Sequence, residues 1–125
     1  MNIWEICEDA IKVFCEANGI KYAAVEYIPD SNETALPDEY IVYTVISDPN
    51  NTFYNNKPVS TDYRIQFDYM TRKTYKVATV PPTIENLLIK AGFLMQGNGR
   101  VRHEEKTGHW YWQKDFKKRL IYKGD

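Results

Sequence analysis

The chain has 125 residues, 43% apolar and 14% aromatic, with a formal net charge of −1, the size and make-up of one globular domain with a real core. No apolar run approaches the roughly 20 residues of a membrane-spanning helix, and the opening MNIWEICEDA lacks the cationic region and small-residue cleavage site of a leader. A soluble, untargeted single domain over residues 1–125 is therefore expected.

The overall balance conceals an asymmetry. Residues 1–62 hold 3 basic and 11 acidic side chains, whereas residues 63–125 hold 13 basic and 6 acidic. Either the two halves put opposite charges on different faces, which favours head-to-tail association of copies, or they interleave in the fold and neutralise each other.

In chain order, Asn2 and Glu5 have capping-box spacing, and Ile3, Cys7, Ala10, Phe14 and Ala17 recur at helical intervals. Asn18 and Gly19 supply a left-handed stop, so a helix is predicted over residues 3–18. IKYAAVEYI reads as a short strand, and the turn-rich, acidic residues 29–39 as a loop. YIVYTVIS is apolar on both parities and β-branched, which predicts a strand covered on both faces or central in a sheet. DPNNTFYNNKPVS, with four asparagines around Phe53 and Tyr54, reads as a polar loop, long for a simple hairpin connection.

TDYRIQFDYM alternates strictly: Tyr63, Ile65, Phe67 and Tyr69 lie on one parity, and Asp62, Arg64, Gln66 and Asp68 on the other. This is a strand with one buried face. Ile84, Leu87, Leu88 and Ala91 return to helical spacing before Gly92. Because Pro81 and Pro82 remove hydrogen bonds and clash with the preceding turn, the second helix is expected to start at about Pro82, after a separate helical turn near residues 74–78.

FLMQGNGRVRH alternates weakly, and its GNG reads as a bulge or bend. In GHWYWQKDFKKRLIY, the even positions collect Trp110, Trp112 and Phe116, and the odd positions Gln113, Asp115, Lys117 and Arg119. That segregation fits a strand with one side on a core, whereas a single-stranded nucleic-acid surface needs rings and cations exposed together. Parity also chooses the hairpin: Val101 opposite Trp112, Glu104 opposite His109, and a four-residue turn over residues 105–108. His103 and His109 then point to opposite faces.

Those two histidines, with Glu104 and Glu105 nearby, invite a metal reading, but a site needs three or four convergent ligands and the pairing separates the rings. Cys7 and Cys15 lie eight residues apart on one helix, a rise of about 12 Å that no disulfide spans, and neither has a basic partner nearby to make it a nucleophile. No catalytic, cofactor or metal site is read, and an enzyme is not expected.

The order of elements resembles the tail completion family of long-tailed bacteriophages and prophages, also called tail terminator or tail-to-head joining proteins. The resemblance rests on LPDEYIVY, the alternating strand, a helix ending in AGF and the hairpin RHEEKTGHWYWQKDFKKRLIY, and covers roughly residues 36–122. VPP at residues 80–82 departs from the unbroken second helix of that family. The resemblance implies an α+β protomer: a mostly antiparallel sheet of four to five strands with two main helices packed on it. It further implies a ring, commonly of six subunits, that caps the tail tube and joins it to the head connector without making or breaking a bond. DNA passes its lumen unread, there is no membrane, and the protein moves from the bacterial host cytoplasm to the tail–head junction of the virion. The partner-contact segment expected on this reading is the loop carrying Asn51, Phe53, Tyr54, Asn55 and Lys57. The alternatives are a head-completion or minor capsid protein, and, from another class, a nucleic-acid-binding protein using Arg100, Arg102, Lys114, Lys117, Lys118 and Arg119.

Overall fold

A computed structural model of the chain describes residues 2–29, 35–46, 50–54 and 57–121, with the side chains of residues 50–59 excepted. The elements are α1 (Ile3–Asn18), β1 (Lys21–Ala24), β2 (Glu39–Val45), β3 (Asn50–Tyr54), β4 (Lys57–Thr71), α2 (Lys76–Lys90), β5 (Leu94–Glu104) and β6 (His109–Ile121). The fold is α+β. Its sheet runs β1-β2-β4-β6-β5, with β3 also on β4. Every pairing is antiparallel except β1 with β2, which makes the sheet mixed.

α1 starts and stops as its sequence dictates. The Asn2 side chain accepts from the Glu5 N–H at 2.9 Å, the Glu5 carboxylate accepts in return from the Asn2 N–H at 3.3 Å, and Gly19 is left-handed with φ 66°. Its buried stripe is Ile3, Cys7, Ile11 and Cys15.

α2 differs from expectation. It begins at Lys76, not Pro82, and contains both prolines. The expected separate turn is the first turn of the helix itself, closed by short-range bonds: Lys76 N–H to Lys73 O, Val77 N–H to Thr74 O, and Ala78 N–H to Tyr75 O. Thr79 Oγ1 donates to Tyr75 O at 3.1 Å, and Pro81 is buried as part of the packing face.

Both helices cover one face of the sheet. Ile41 and Tyr43 of β2, Ile65, Phe67 and Tyr69 of β4, and Trp112 and Phe116 of β6 are buried there with the α1 stripe, Ile84, Leu88 and Phe93. Phe67 meets Phe93 and Phe116 edge-on, at 5.8 and 5.6 Å between centroids. Each ring is placed by the parity of its strand.

The late hairpin has the register its parity chooses: Val101 opposite Trp112, Glu104 opposite His109, and a turn between Glu104 and His109. The expected bulge lies at GNG, where Gln96 pairs with Asp115 and Arg100 with Gln113. A Cβ on Gly99 would collide with the Trp112 indole, so close approach of backbone to ring requires glycine here.

The reading of residues 48–60 as a loop is corrected by the backbone. Asn50–Tyr54 pairs antiparallel with Lys57–Asp62, with a register shift at Thr52/Phe53. Asparagine-rich composition lowers strand propensity, and Pro58 argues against a strand interior. Pro58 instead pairs with Phe53 beside the shift, where a missing N–H is tolerated. β3 and β2 lie end to end along one margin of the long β4, with β6 on its other margin.

Candidate assembly surfaces

Register sorts the open face of the sheet into rows. Val42, Asp68, Gln113 and Arg100 form one, and Tyr40, Met70, Tyr111 and Arg102 the next. Towards the start of β4 the face is closed by ion pairs. Arg119 grips Asp62 with both nitrogens, at 2.7 and 3.1 Å, Lys117 adds a contact at 3.4 Å, and Arg64 meets Asp115 at 2.6 Å. The Arg119 guanidinium beside Asp62 holds its carboxyl down at about 2.

At the other end of this face the chain itself makes a cover. Tyr40, Val42 and Met70 are buried beneath Tyr27, Leu36 and Tyr111. His109, fully buried, binds Pro37 O through Nε2 at 2.8 Å and packs edge-on against Tyr40 at 5.3 Å. Arg72 fastens the same corner, donating to Asp38 Oδ1 at 2.6 Å, Leu36 O at 3.3 Å and Thr107 O at 2.9 Å. Sequence parity missed this second cluster by treating the odd positions of the last strand as wet. The signal was in YIVY, apolar on both parities, which demanded a cover that Tyr27, Leu36 and Pro37 provide.

The cations named for nucleic acid are divided among different uses. Lys114 leaves the helix-covered face to meet Glu85 of α2 at 3.0 Å, and Lys118 donates to Ala91 O at 3.2 Å, where cationic charge complements a helix C-terminus. Lys117 and Arg119 are held by Asp62. Arg102 lies over the Tyr111 ring at 4.4 Å, and Arg100 reaches Gln113 at 3.3 Å. Trp112 and Phe116 are buried on the helix-covered face, which they share with Lys114 and Lys118.

The charge asymmetry resolves into both of its alternatives. In the middle the halves interleave: Asp38 with Arg72, Glu39 with Lys76 at 3.0 Å, and Asp62 with Lys117 and Arg119. At the two ends of the strand order they do not. α1, which packs over β1 and β2, carries Glu5, Asp9 and Glu16 as well as Lys12 around Val13, which is 78% exposed; Lys21 opens β1, and Glu26 and Ile28, 75% exposed, follow it, so acids predominate. Among the described residues none of these acids makes a salt bridge. β5 is exposed along nearly its whole length, with Leu94 at 66% and Val101 at 53% beside Arg100 and Arg102. Four strand spacings of about 4.8 Å put the β1 and β5 backbones roughly 20 Å apart.

Among the expected contact residues, Asn51, Phe53 and Tyr54 fall in β3 and Lys57 opens β4, but their side chains, and Asn55 altogether, lie outside the described residues. The backbone of Asn51, Phe53, Tyr54 and Lys57 belongs to a strand pair continuing the sheet past β2, and not to a loop.

The groups weighed for chemistry are placed as follows. Cys7 and Cys15 are free and buried, and burial pushes each thiol up to about 12, far from the thiolate a nucleophile needs. His103 sits opposite Trp110, their rings 4.6 Å apart, and on the other face from His109. Among the described residues no group of three His, Cys, Asp or Glu could hold a metal ion, and no helix is long and apolar enough to cross a membrane. In comparisons with known proteins, no family model and no curated protein matches this chain.

Proposed function

We propose that this chain is a structural protein of phage or prophage assembly, which caps the tail tube and joins it to the head connector as a ring of copies associated head to tail. One observation carries the self-association: the two ends of the strand order bear unlike free surfaces, one acidic around Val13 and Ile28, the other basic around Leu94 and Val101. A two-fold dimer places the same patch on both partners, whereas unlike patches on opposite ends generate rings when the rotation closes. The tail–head junction itself comes from the resemblance of residues 36–122, with the helix at residues 3–18 fitting that family in position and not in motif.

The mechanism on this reading is binding. Each copy offers its β5 end to the α1–β1 end of the next. The hairpin β3–β4, extending the sheet beyond β2, is the segment assigned to the tube or connector, and DNA passes the lumen without being read. Sedimentation velocity at low and high salt tests this: a closed oligomer that weakens as salt rises is expected, because exposed charge pairs are screened. An oligomer indifferent to salt, or none in the presence of tail tube protein, overturns it.

A further inference from the structure

A cleft of about 220 Å³ opens on the uncovered sheet face at the α1–β1 end, lined by Val25, Tyr27, Leu36, Tyr40, Met70 and Asp68. Its chemistry is unusual for a stretch of sheet. Three aspartates stand on the strands of this face; Asp62 and Asp115 each hold an arginine, but Asp68, partly buried, makes no salt bridge among the described residues. Its carboxylate is met by side-chain amides alone, Gln66 Nε2 at 3.0 Å and Gln113 Nε2 at 3.5 Å. Burial pushes the Asp68 carboxyl up, opposed in part by those amides and by the more distant Arg102. A half-buried carboxylate between apolar walls is costly without a cation.

The rim is built at a cost as well. Val25 is left-handed, with φ 67°, a conformation unfavourable for a β-branched residue. Its N–H donates to Tyr43 O at 2.9 Å and the Glu26 N–H reaches Ala24 O at 2.7 Å, turning the chain out of β1 and across the open face. Tyr27 thereby lies 5.6 Å from the Tyr40 ring, so the cleft has aromatic walls, a carboxylate floor and Glu26 at its mouth. Aromatic faces and an unpaired carboxylate suit a cation on an apolar stem.

We infer that this cleft receives an arginine or lysine side chain from the β5 end of a neighbouring copy. The source follows from charge: the cleft belongs to the acidic end, and β5 presents Arg100 and Arg102 on an exposed strand. This rests on the head-to-tail reading and names the contact at its centre.

Two measurements test it separately. Amide and methyl NMR shifts of the chain are followed on adding Nα-acetyl-arginine amide or its uncharged citrulline counterpart. The arginine probe is expected to move Tyr40, Val42 and Met70 signals at least tenfold more strongly, and Asp68→Asn to abolish the difference. Equal shifts with both probes overturn the cleft as a cation site, whatever the chain's oligomeric state. Sedimentation of Asp68→Asn is expected to show self-association at least tenfold weaker than wild type, with thermal melting confirming that it folds. A variant that associates like wild type overturns the second copy as the source and leaves the ring reading standing. A wild type that stays monomeric even with tail tube protein present overturns that source and the ring reading together.

Discussion

The middle of the sheet and its two ends obey different rules. Between β2 and β6 nearly every group has an answer within the chain: Phe67 fits between Phe93 and Phe116, Asp62 holds Arg119, and even the lysines on the apolar face, Lys114 and Lys118, reach Glu85 and the last carbonyl of α2. At the ends, Val13, Ile28, Leu94 and Val101 stand in water; acids outnumber Lys12 and Lys21 at α1–β1, and Arg100 and Arg102 outnumber Glu104 on β5. The middle is largely satisfied within one copy, Asp68 of β4 excepted; the ends carry unlike charge. Stability belongs to the first region, and on the proposed head-to-tail reading association belongs to the second.

The comparison breaks most visibly if the middle is damaged. Phe67→Ala removes a fully buried ring that contacts both Phe93 and Phe116, and should cost about 3–5 kcal/mol by chemical denaturation. Gly99→Ala drives a methyl into the Trp112 indole and should cost roughly 1–3 kcal/mol, read most simply from the midpoint shift at unchanged slope. At the β5 end, by contrast, Leu94→Asp with Val101→Asp should leave stability within about 0.5 kcal/mol of wild type while abolishing self-association. A large loss of stability there would erase the distinction between regions.

Two of the three aspartates of the open face sharpen the comparison further, because their pH dependences have opposite sign. Asp62 has its folded pKa depressed to about 2, so the stability from its pairing is fully present above the ordinary value of 3.8 and lost as pH falls from there through about 2. Asp62→Asn should flatten the melting profile across that window. Asp68 has its folded pKa raised, so its ionised form opposes folding, and that opposition fades as pH falls towards 3.8. Asp68→Asn should therefore melt a few degrees higher at pH 7, with the gain vanishing in acid. A carboxylate that lowers stability in the free chain fits a group retained for contact.

Much of the middle was legible in the sequence, because a strand's period of two leaves little choice once one face is apolar. Tyr63, Ile65, Phe67 and Tyr69 announced β4, and placing Val101 on the face of Trp110 and Trp112 gave the observed hairpin register, although Val101 itself stands exposed and not in the core. The misreadings share a cause: local penalties offset by contacts distant in sequence. Pro81 and Pro82 argue against a helix, yet α2 contains both and Pro81 is buried in the packing face. Asn50, Asn51 and Pro58 argue against strands, yet β4 and β3 pair through a bulge. His109 and Tyr111 sat on the supposedly wet parity, and only the approach of residues 36–37, some seventy positions earlier, buries the histidine. The cleft at Asp68 was hidden for the same reason, since Val25, Leu36, Tyr40 and Asp68 come from four separate stretches.

Charge reversal and recombination test the central claim most directly. One variant carries Arg100→Glu and Arg102→Glu, making both ends acidic; another carries Asp9→Lys and Glu16→Lys, making both basic. By sedimentation velocity at low salt, each alone should remain monomeric, while an equimolar mixture should assemble into rings of alternating copies. Assembly of either variant alone to the wild-type extent, or a mixture no larger than its components, contradicts the head-to-tail account.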